Sequence, residues 1–528
     1  VPPTLDQAVG QQFLLGFDGR TAPSAELVEA LRHRHVGGVV LFRHRNMGSL
    51  AELRGLTAAL QAAAAATGQP PLLVAADQEG GQLMAVGDAT PFPGNMALGA
   101  ARDERLAYRV GRALGREMAA LGVNVDFAPV CDVNNNPANP VVGTRSFGES
   151  PALVARLGAA LVRGLQAAGV AATAKHFPGH GDTASDSHHG APVIPHDLGR
   201  LRRIELPPFR AAVAAGARLV MTAHIALPAL HGGRPVPATL SRTVLFDLLR
   251  RRLGFEGLIV TDAMDMRAID QGAGLMVDTL AAVAAGADLL LYNLDASRQR
   301  AAYDAVRQAV ERGLLSPRQA LASARRILGL KKWLARRPPP PLSVVASRAH
   351  LALAREVADR SVTRVRDRVG LLPLRLPSEA RVAVVVPRPA DLTPADTSSY
   401  LVPALAAAVR RHHARADEVL MSMNPSDEDV RHVRQALAGH DLVIVGTINA
   451  TSHPGQAAVV DAVLARGRPA VTVALRMPYD LQAYPGAAVH ACTYGILPPS
   501  MEALADALWG RVPFRGRLPV TLPARLRR

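Results

Sequence analysis

Residues 170–189 read VAATAKHFPGHGDTASDSHH. The first seven, Val170–His176, form a short apolar run of the length of one buried strand. The run then breaks into a loop containing Gly and Pro and crowded with imidazoles and carboxylates. An apolar strand whose tip carries Lys175 and His176 is the signature of a parallel sheet with chemistry at its C-terminal edge.

The same pattern recurs on both sides. Seven further apolar runs are Gln11–Phe17, Gly37–Phe42, Pro71–Asp77, Val123–Val130, Arg218–His224, Gly257–Asp262 and Ala287–Asn293. Ala/Leu/Arg-rich stretches long enough for crossover helices separate most of them, for example Leu50–Thr67, Pro151–Ala168 and Val277–Ala285. Eight strands alternating with helices predict an α/β fold, a (β/α)8 TIM-like barrel over residues 1–335. A Pro-rich break, RRPPPP at 336–341, predicts a stiff linker over 336–345. Beyond it, over 346–528, strand-like runs at Val382–Val386, Val419–Met423, Leu442–Gly446, Ala470–Leu475 and Ala488–Cys492 alternate with helical stretches such as Ala404–Arg411 and Ser426–Ala438. This region reads as a C-terminal α/β sandwich domain. It contains no Walker or G-x-G-x-x-G signature and no visible titratable cluster, so a structural role is expected of it.

The loop Lys175–His189 admits three readings. Its His and Asp residues could bind a metal, but no H-E-x-x-H helix or other spaced ligand set is present. It could be a solvated polar loop. It could also carry acid/base chemistry, because Asp186-Ser187-His188 sets a carboxylate two residues from an imidazole and can orient that ring. The stretch IVTDAMDM at 259–266 ends a strand with Asp262. Asp262 reads equally as a nucleophile toward an anomeric carbon and as a helix N-cap, with Asp265 an alternative cap. Asp77, in AADQEGG at 75–81, also ends a strand, where a carboxylate can bind two hydroxyls or cap a loop. Arg145, in VGTRSFG at 142–148, suits a hydroxyl or carboxylate ligand and equally suits an ordinary surface position.

Bulk properties narrow the function classes. The chain has 528 residues, 49% hydrophobic and 20% charged, and a formal net charge of +16. The arginines are scattered rather than gathered in a basic block, and aromatic residues are sparse, so nucleic acid is not the expected partner. Lys175, Lys331 and Lys332 are the only lysines, which marks Lys175 as a deliberate choice of amine over guanidinium. No run of about 20 uncharged apolar residues is present, so no membrane span is expected. The first residues, VPPTLDQAVGQQ, lack a signal-peptide pattern, and two distant cysteines make a disulfide framework unlike this chain. The expected location is the cytoplasm, with secretion the alternative, and a monomer or homodimer is expected.

Taken together, DQEGG at 77–81, FAPVCDVNNNPANPVVGTRSFG at 127–148, KHFPGHGDTASDSH at 175–188, MTAH at 221–224 and VTDAMDM at 260–266 resemble glycoside hydrolase family 3. More narrowly, they resemble its β-N-acetylglucosaminidase branch of the two-domain type. The tail GRLPVTLP at 516–523 is a weaker match. The resemblance implies a retaining, exo-acting hydrolase of β-linked N-acetylglucosamine, with Asp262 as nucleophile and His188 as acid/base oriented by Asp186. It implies that Asp77, Arg145, Lys175 and His176 grip the sugar and that His224 lines the subsite. No metal or cofactor is implied, and the substrate would be a small carbohydrate or a muropeptide from peptidoglycan. Alternatives are a phosphorylase, since a histidine base repels an anionic acceptor less than a carboxylate would, a β-glucosidase of the same family, and a non-catalytic carbohydrate-binding scaffold. One departure stands out. The family's DQEGG is usually followed by Arg, whereas this chain continues Gln82-Leu83-Met84-Ala85, leaving Arg43, Arg45 or another loop residue to compensate.

Overall fold

The computed structural model describes residues 3–183, 192–269 and 272–527. Eight parallel strands follow one another in chain order: β1 (Phe13–Gly16), β2 (Gly38–Leu41), β3 (Leu73–Ala76), β4 (Val125–Asp126), β5 (Ala171–Phe177), β6 (Leu219–Thr222), β7 (Leu258–Val260) and β8 (Leu290–Tyr292). β8 pairs with β1, and the bridge between Val260 and Leu289 joins β7 to β8, so the sheet closes on itself. Each of the eight apolar runs coincides with one of these strands, β5 extending one residue past its run.

The runs are continuous rather than alternating because both faces of each strand are covered. Leu14, Val40, Leu73, Ala75, Val125, Leu219 and Leu258 fill the barrel interior. Their neighbours Phe13, Leu15, Val39, Leu41, Val74 and Val220 face outward under the helices. The helix Pro317–Leu334 brings Ile327, Leu330 and Trp333 to the same interior cluster. The helices start where the sequence supplies caps. Ser49 and Glu52 form a capping box before Leu50–Ala66, and Ser150 with Pro151 opens Pro151–Ala167.

The second region is a six-stranded sheet in the order β9-β14-β13-β12-β10-β11, composed of β9 (Thr363–Asp367), β10 (Val382–Pro387), β11 (Ala416–Met421), β12 (Leu442–Thr447), β13 (Ala470–Ala474) and β14 (Val489–Cys492). All neighbours are parallel except β9, which pairs antiparallel with β14. The sequence pattern misses β9 because TRVRD is half charged and lies on a sheet edge. Among the described residues no helix is long and apolar enough to cross a membrane.

Candidate active site

The chain reverses directly after β3. Gly80 and Gly81 adopt φ of +79° and +66°, and a small hairpin pairs Gln78–Gly80 with Leu83–Met84. This turn sets Asp77 and Glu79 close beneath the barrel mouth. Lys175, at the end of β5, places Nζ 2.5 Å from Asp77 Oδ1 and 2.6 Å from Glu79 Oε1. Arg145 completes the cluster by donating from Nε and Nη2 to the two Glu79 oxygens at 2.9 and 2.8 Å. Lys175, Arg145 and Glu79 are buried. Burial alone would push the Glu79 carboxyl upward, but the charges of Arg145 and Lys175 hold it down at about 2. Burial likewise works against the Lys175 ammonium, and Asp77 and Glu79 more than offset it, so its pKa lies above that of an ordinary lysine.

A second buried carboxylate orients the neighbouring rings. Asp132 Oδ2 lies 2.8 Å from His176 Nδ1, and Asp132 Oδ1 accepts from the backbone amides of His176 and His180. His176 thereby turns Nε2 toward Arg145 Nη2, 3.5 Å away. His180 is depressed to about 4, chiefly by burial, and is neutral at ordinary pH. Its Nδ1 pairs with Thr183 Oγ1 at 2.9 Å.

Asp262 follows β7 at the mouth and accepts the Ala263 amide through Oδ1 at 2.8 Å. No helix starts there, since the next one begins beyond residue 271. The capping alternative for Asp262 therefore falls away. Asp265 caps no helix either, because its carboxylate takes the backbone and side-chain amides of Asn293. His224 does not appear on the cavity wall. It is buried behind it, with Nδ1 against Thr239 Oγ1 at 2.8 Å and Nε2 against the Ala263 carbonyl at 2.9 Å. It braces the segment that carries Asp262. Asp186 and His188 lie outside the described residues.

Asp77, Arg145, Lys175, His176, His180 and Asp262 all face one cavity of about 590 Å³, a size typical of small-molecule sites. The second region closes its other side. Asp391, Thr393, Ala395, Asp396, Thr397 and Tyr400, from the loop after β10, line the same space. The expectation of a purely structural second region is corrected here. Its one-residue signal was Gln82, at the position where the resemblance implies Arg. Gln82 O accepts from Thr397 N and Oγ1 at 2.8 and 3.0 Å, and its side chain meets Ala395 O, Thr144 and Arg476. Arg476 in turn pairs with Asp396 at 2.7 Å. The position is spent on docking a loop, not on a ligand. Of the two candidate substitutes, Arg43 lines the cavity, whereas Arg45 pairs with Asp18 at 3.3 Å.

Sequence reasoning also missed Glu79 and Asp132. Their side-chain partners stand 44 to 96 residues away, and a Glu in a Gly-rich turn carries no mark of its own. One metal-like group exists among the described residues, Asp182, His196 and Glu205. Arg200 lies within it, 3.2 Å from both Asp182 and Glu205, and already supplies the positive charge.

Fixed carboxylates beside fixed cations are what recognise the vicinal hydroxyls of a sugar, and a carboxylate at the barrel mouth supplies the attacking or stabilising group. This is the chemistry of a barrel glycosidase. The Glycosyl hydrolase family 3 N terminal domain model matches residues 4–330, and the chain belongs to that family. A structure of a glycoside hydrolase family 3 β-N-acetylglucosaminidase from Paenibacillus sp. str. FPU-7 superposes with a TM-score of 0.93 at 39% identity, covering 98% of this chain and 99% of that one. Beta-hexosaminidase A of Pseudoalteromonas piscicida is 38% identical over 71% of this chain and 69% of its own length. A Cellulomonas fimi protein named Beta-N-acetylglucosaminidase/beta-glucosidase is 33% identical over 98% of this chain and 93% of its own length.

Proposed function

We propose that the protein removes terminal β-linked N-acetylglucosamine by a two-step displacement with retention of configuration. The observation that carries the reading is Asp262 at the mouth of a cavity floored by Lys175, Arg145 and Asp77, with no helix for it to cap. In this reading Asp77, Lys175, Arg145 and His176 hold the sugar hydroxyls. Asp262 attacks C1, and His188, oriented by Asp186, protonates the leaving oxygen. Water deprotonated by His188 then releases the sugar from Asp262. The Paenibacillus and Pseudoalteromonas relatives, named for β-N-acetylglucosaminidase and β-hexosaminidase, support the choice of sugar. The double name of the Cellulomonas fimi relative favours β-glucosides as a second substrate. Peptidoglycan fragments are the proposed natural source.

The test is a panel of β-GlcNAc, β-GalNAc and β-glucose glycosides and a muropeptide, followed by NMR with and without phosphate. The expected outcome is β-configured N-acetylglucosamine as first product. An α-configured first product would remove Asp262 from the nucleophile role, and a sugar 1-phosphate as main product would replace hydrolysis by phosphorolysis. Asp262→Ala should lower kcat by about a thousandfold or more without a loss of fold, the scale expected when a covalent nucleophile is removed.

A further inference from the structure

The cavity has a gradient of exposure. Lys175 and Arg145 are buried at its floor, whereas Tyr400 at its rim is 51% exposed. An exo-acting glycosidase, as proposed above, holds the terminal sugar at the floor, so the leaving group occupies the rim. Arg43 stands there. It opens the short helix Arg43–Asn46, one residue after β2, and is half-buried. Its Nη1 donates to the Met84 carbonyl at 3.3 Å, and its Cζ lies 4.2 Å from the centroid of the Tyr400 ring. Gly87 makes room for the guanidinium, since a Cβ at that position would overlap Nη2. The side chain is thus fixed from three directions, by a carbonyl, by a ring face and by bare backbone.

Asp88 and Asp391 act on this charge from a distance. Among the described residues no carboxylate lies within ion-pair distance of Arg43, so no salt bridge takes it up. The two carboxylates on the facing loop are engaged elsewhere. Asp391 accepts from Ser399 N and Oγ, both at 2.7 Å. Asp396 accepts from Arg476, Leu392 N, Ser398 N and Ser398 Oγ. A held guanidinium whose remaining N–H groups face a ligand cavity is a receptor for a planar anion.

We propose that Arg43, held over Tyr400 of the second region, forms a leaving-group site for a carboxylate, so that the enzyme prefers substrates whose aglycone is anionic. The proposal rests on the glycosidase reading above and adds the chemical class of the leaving group. It also gives the second region a part in specificity, because Tyr400 belongs to that region and Arg43 to the barrel.

The experiment compares phenyl with 3-carboxyphenyl β-glycosides, made with both N-acetylglucosamine and glucose. A carboxylate at the meta position changes the acidity of the leaving phenol little, so the ratio of kcat/KM between the two reads recognition. The full chain should favour the carboxylated member, and added salt should weaken that preference. Arg43→Gln should lower the ratio about tenfold, the scale of one charge-assisted hydrogen-bonded contact. Tyr400→Phe should retain the ratio, and Tyr400→Ala should lower it. A ratio unchanged by Arg43→Gln overturns the proposal. So does an effect confined to phosphate-dependent turnover, which would make Arg43 a phosphate ligand instead. Which sugar is cleaved tests the activity separately, since the ratio can be read on either sugar. Failure to cleave any of the four compounds overturns both readings.

Discussion

The carboxylates of the site differ in what is seen to hold them. Glu79 takes Arg145 through both oxygens and Lys175 through one, and Asp77 takes the same ammonium. Glu79 is therefore a counter-ion that fixes two cations at the floor, while Asp262 accepts a backbone amide at the mouth. Removing the Glu79 charge leaves Arg145 buried without its carboxylate, a defect that costs about 3 kcal/mol or more. Glu79→Gln should lower the urea midpoint by the corresponding amount and weaken sugar binding, because Lys175 and Arg145 lose their shared anchor. The Glu79 carboxyl is depressed to about 2 from an ordinary value near 4.5. Its contribution to stability is thus present in full above pH 4.5 and is lost as pH falls toward 2. The difference between Glu79→Gln and the unchanged chain should shrink over that window. A difference that stays constant there would mean that the Glu79 carboxyl is not depressed in the folded state.

At the scale of elements, the loop after β5 is seated before it reaches residue 184. Asn139 is the seat. Its Nδ2 donates to the carbonyls of His180 and Gly181 and to Thr183 Oγ1 at 2.9–3.2 Å, and its Oδ1 accepts the amides of Val141 and Val142. Asn139→Ala orphans several buried groups at once and should cost about 3 kcal/mol. It should also lower kcat on every substrate alike, because the residue touches the loop and does not line the cavity. A substrate-selective loss, read from kcat/KM across the glycoside panel, would contradict that. The elements themselves are legible in the sequence because barrel strands buried on both faces write themselves as unbroken apolar runs, and the polar residue ending a run marks the catalytic edge. Legibility ends where a role depends on distant partners. Nothing local in DQEGG separates Glu79, which organises the floor, from a turn residue. His224, at the end of an apolar run like Lys175, turns out to lie behind the wall, since the strand stops at Thr222 and the side chain points to Thr239 and Ala263. The loop 391–400 carries no pattern at all, being positioned by Gln82 and Arg476 from other parts of the chain.

At the scale of the molecule, one apolar cluster joins the barrel to the second sheet, which keeps two further clusters of its own. The cluster that contains Phe13, Leu41 and Phe147 continues without a break to Met477, Tyr479, Tyr494 and Val520. Polar ties cross with it, among them Glu117 with His350 at 2.6 Å and Glu149 with the Thr521 amide at 2.8 Å. Shared packing of this kind predicts that the chain unfolds in one transition, so buried groups in both sheets contribute to a single pH dependence. Four such groups oppose one another. Burial depresses His180 to about 4 and His490 to about 3, from an ordinary value near 6.5. Both stay neutral in the folded chain, so the stability tied to them is complete above pH 6.5 and is lost as pH falls through 4 and 3. Burial raises Asp480 to about 7 and Asp126 well above an ordinary aspartate. The stability tied to Asp480 has the reverse sign, being complete below pH 3.8 and lost as pH rises through 7. Between pH 4 and 6.5 the two imidazoles and the two carboxyls therefore nearly cancel, and stability should be flat. Asp480→Asn removes one member of the set and keeps its shape. Relative to the unchanged chain, the variant should lose about 1.4 kcal/mol for each pH unit below 6.5, the slope of one uncompensated proton. Urea unfolding at half-unit intervals from pH 4 to 7 measures it. Parallel curves for the two proteins would show that Asp480 is ionised in the folded state. Two separate transitions, with the added slope confined to one of them, would show that the sheets unfold independently despite the cluster that joins them.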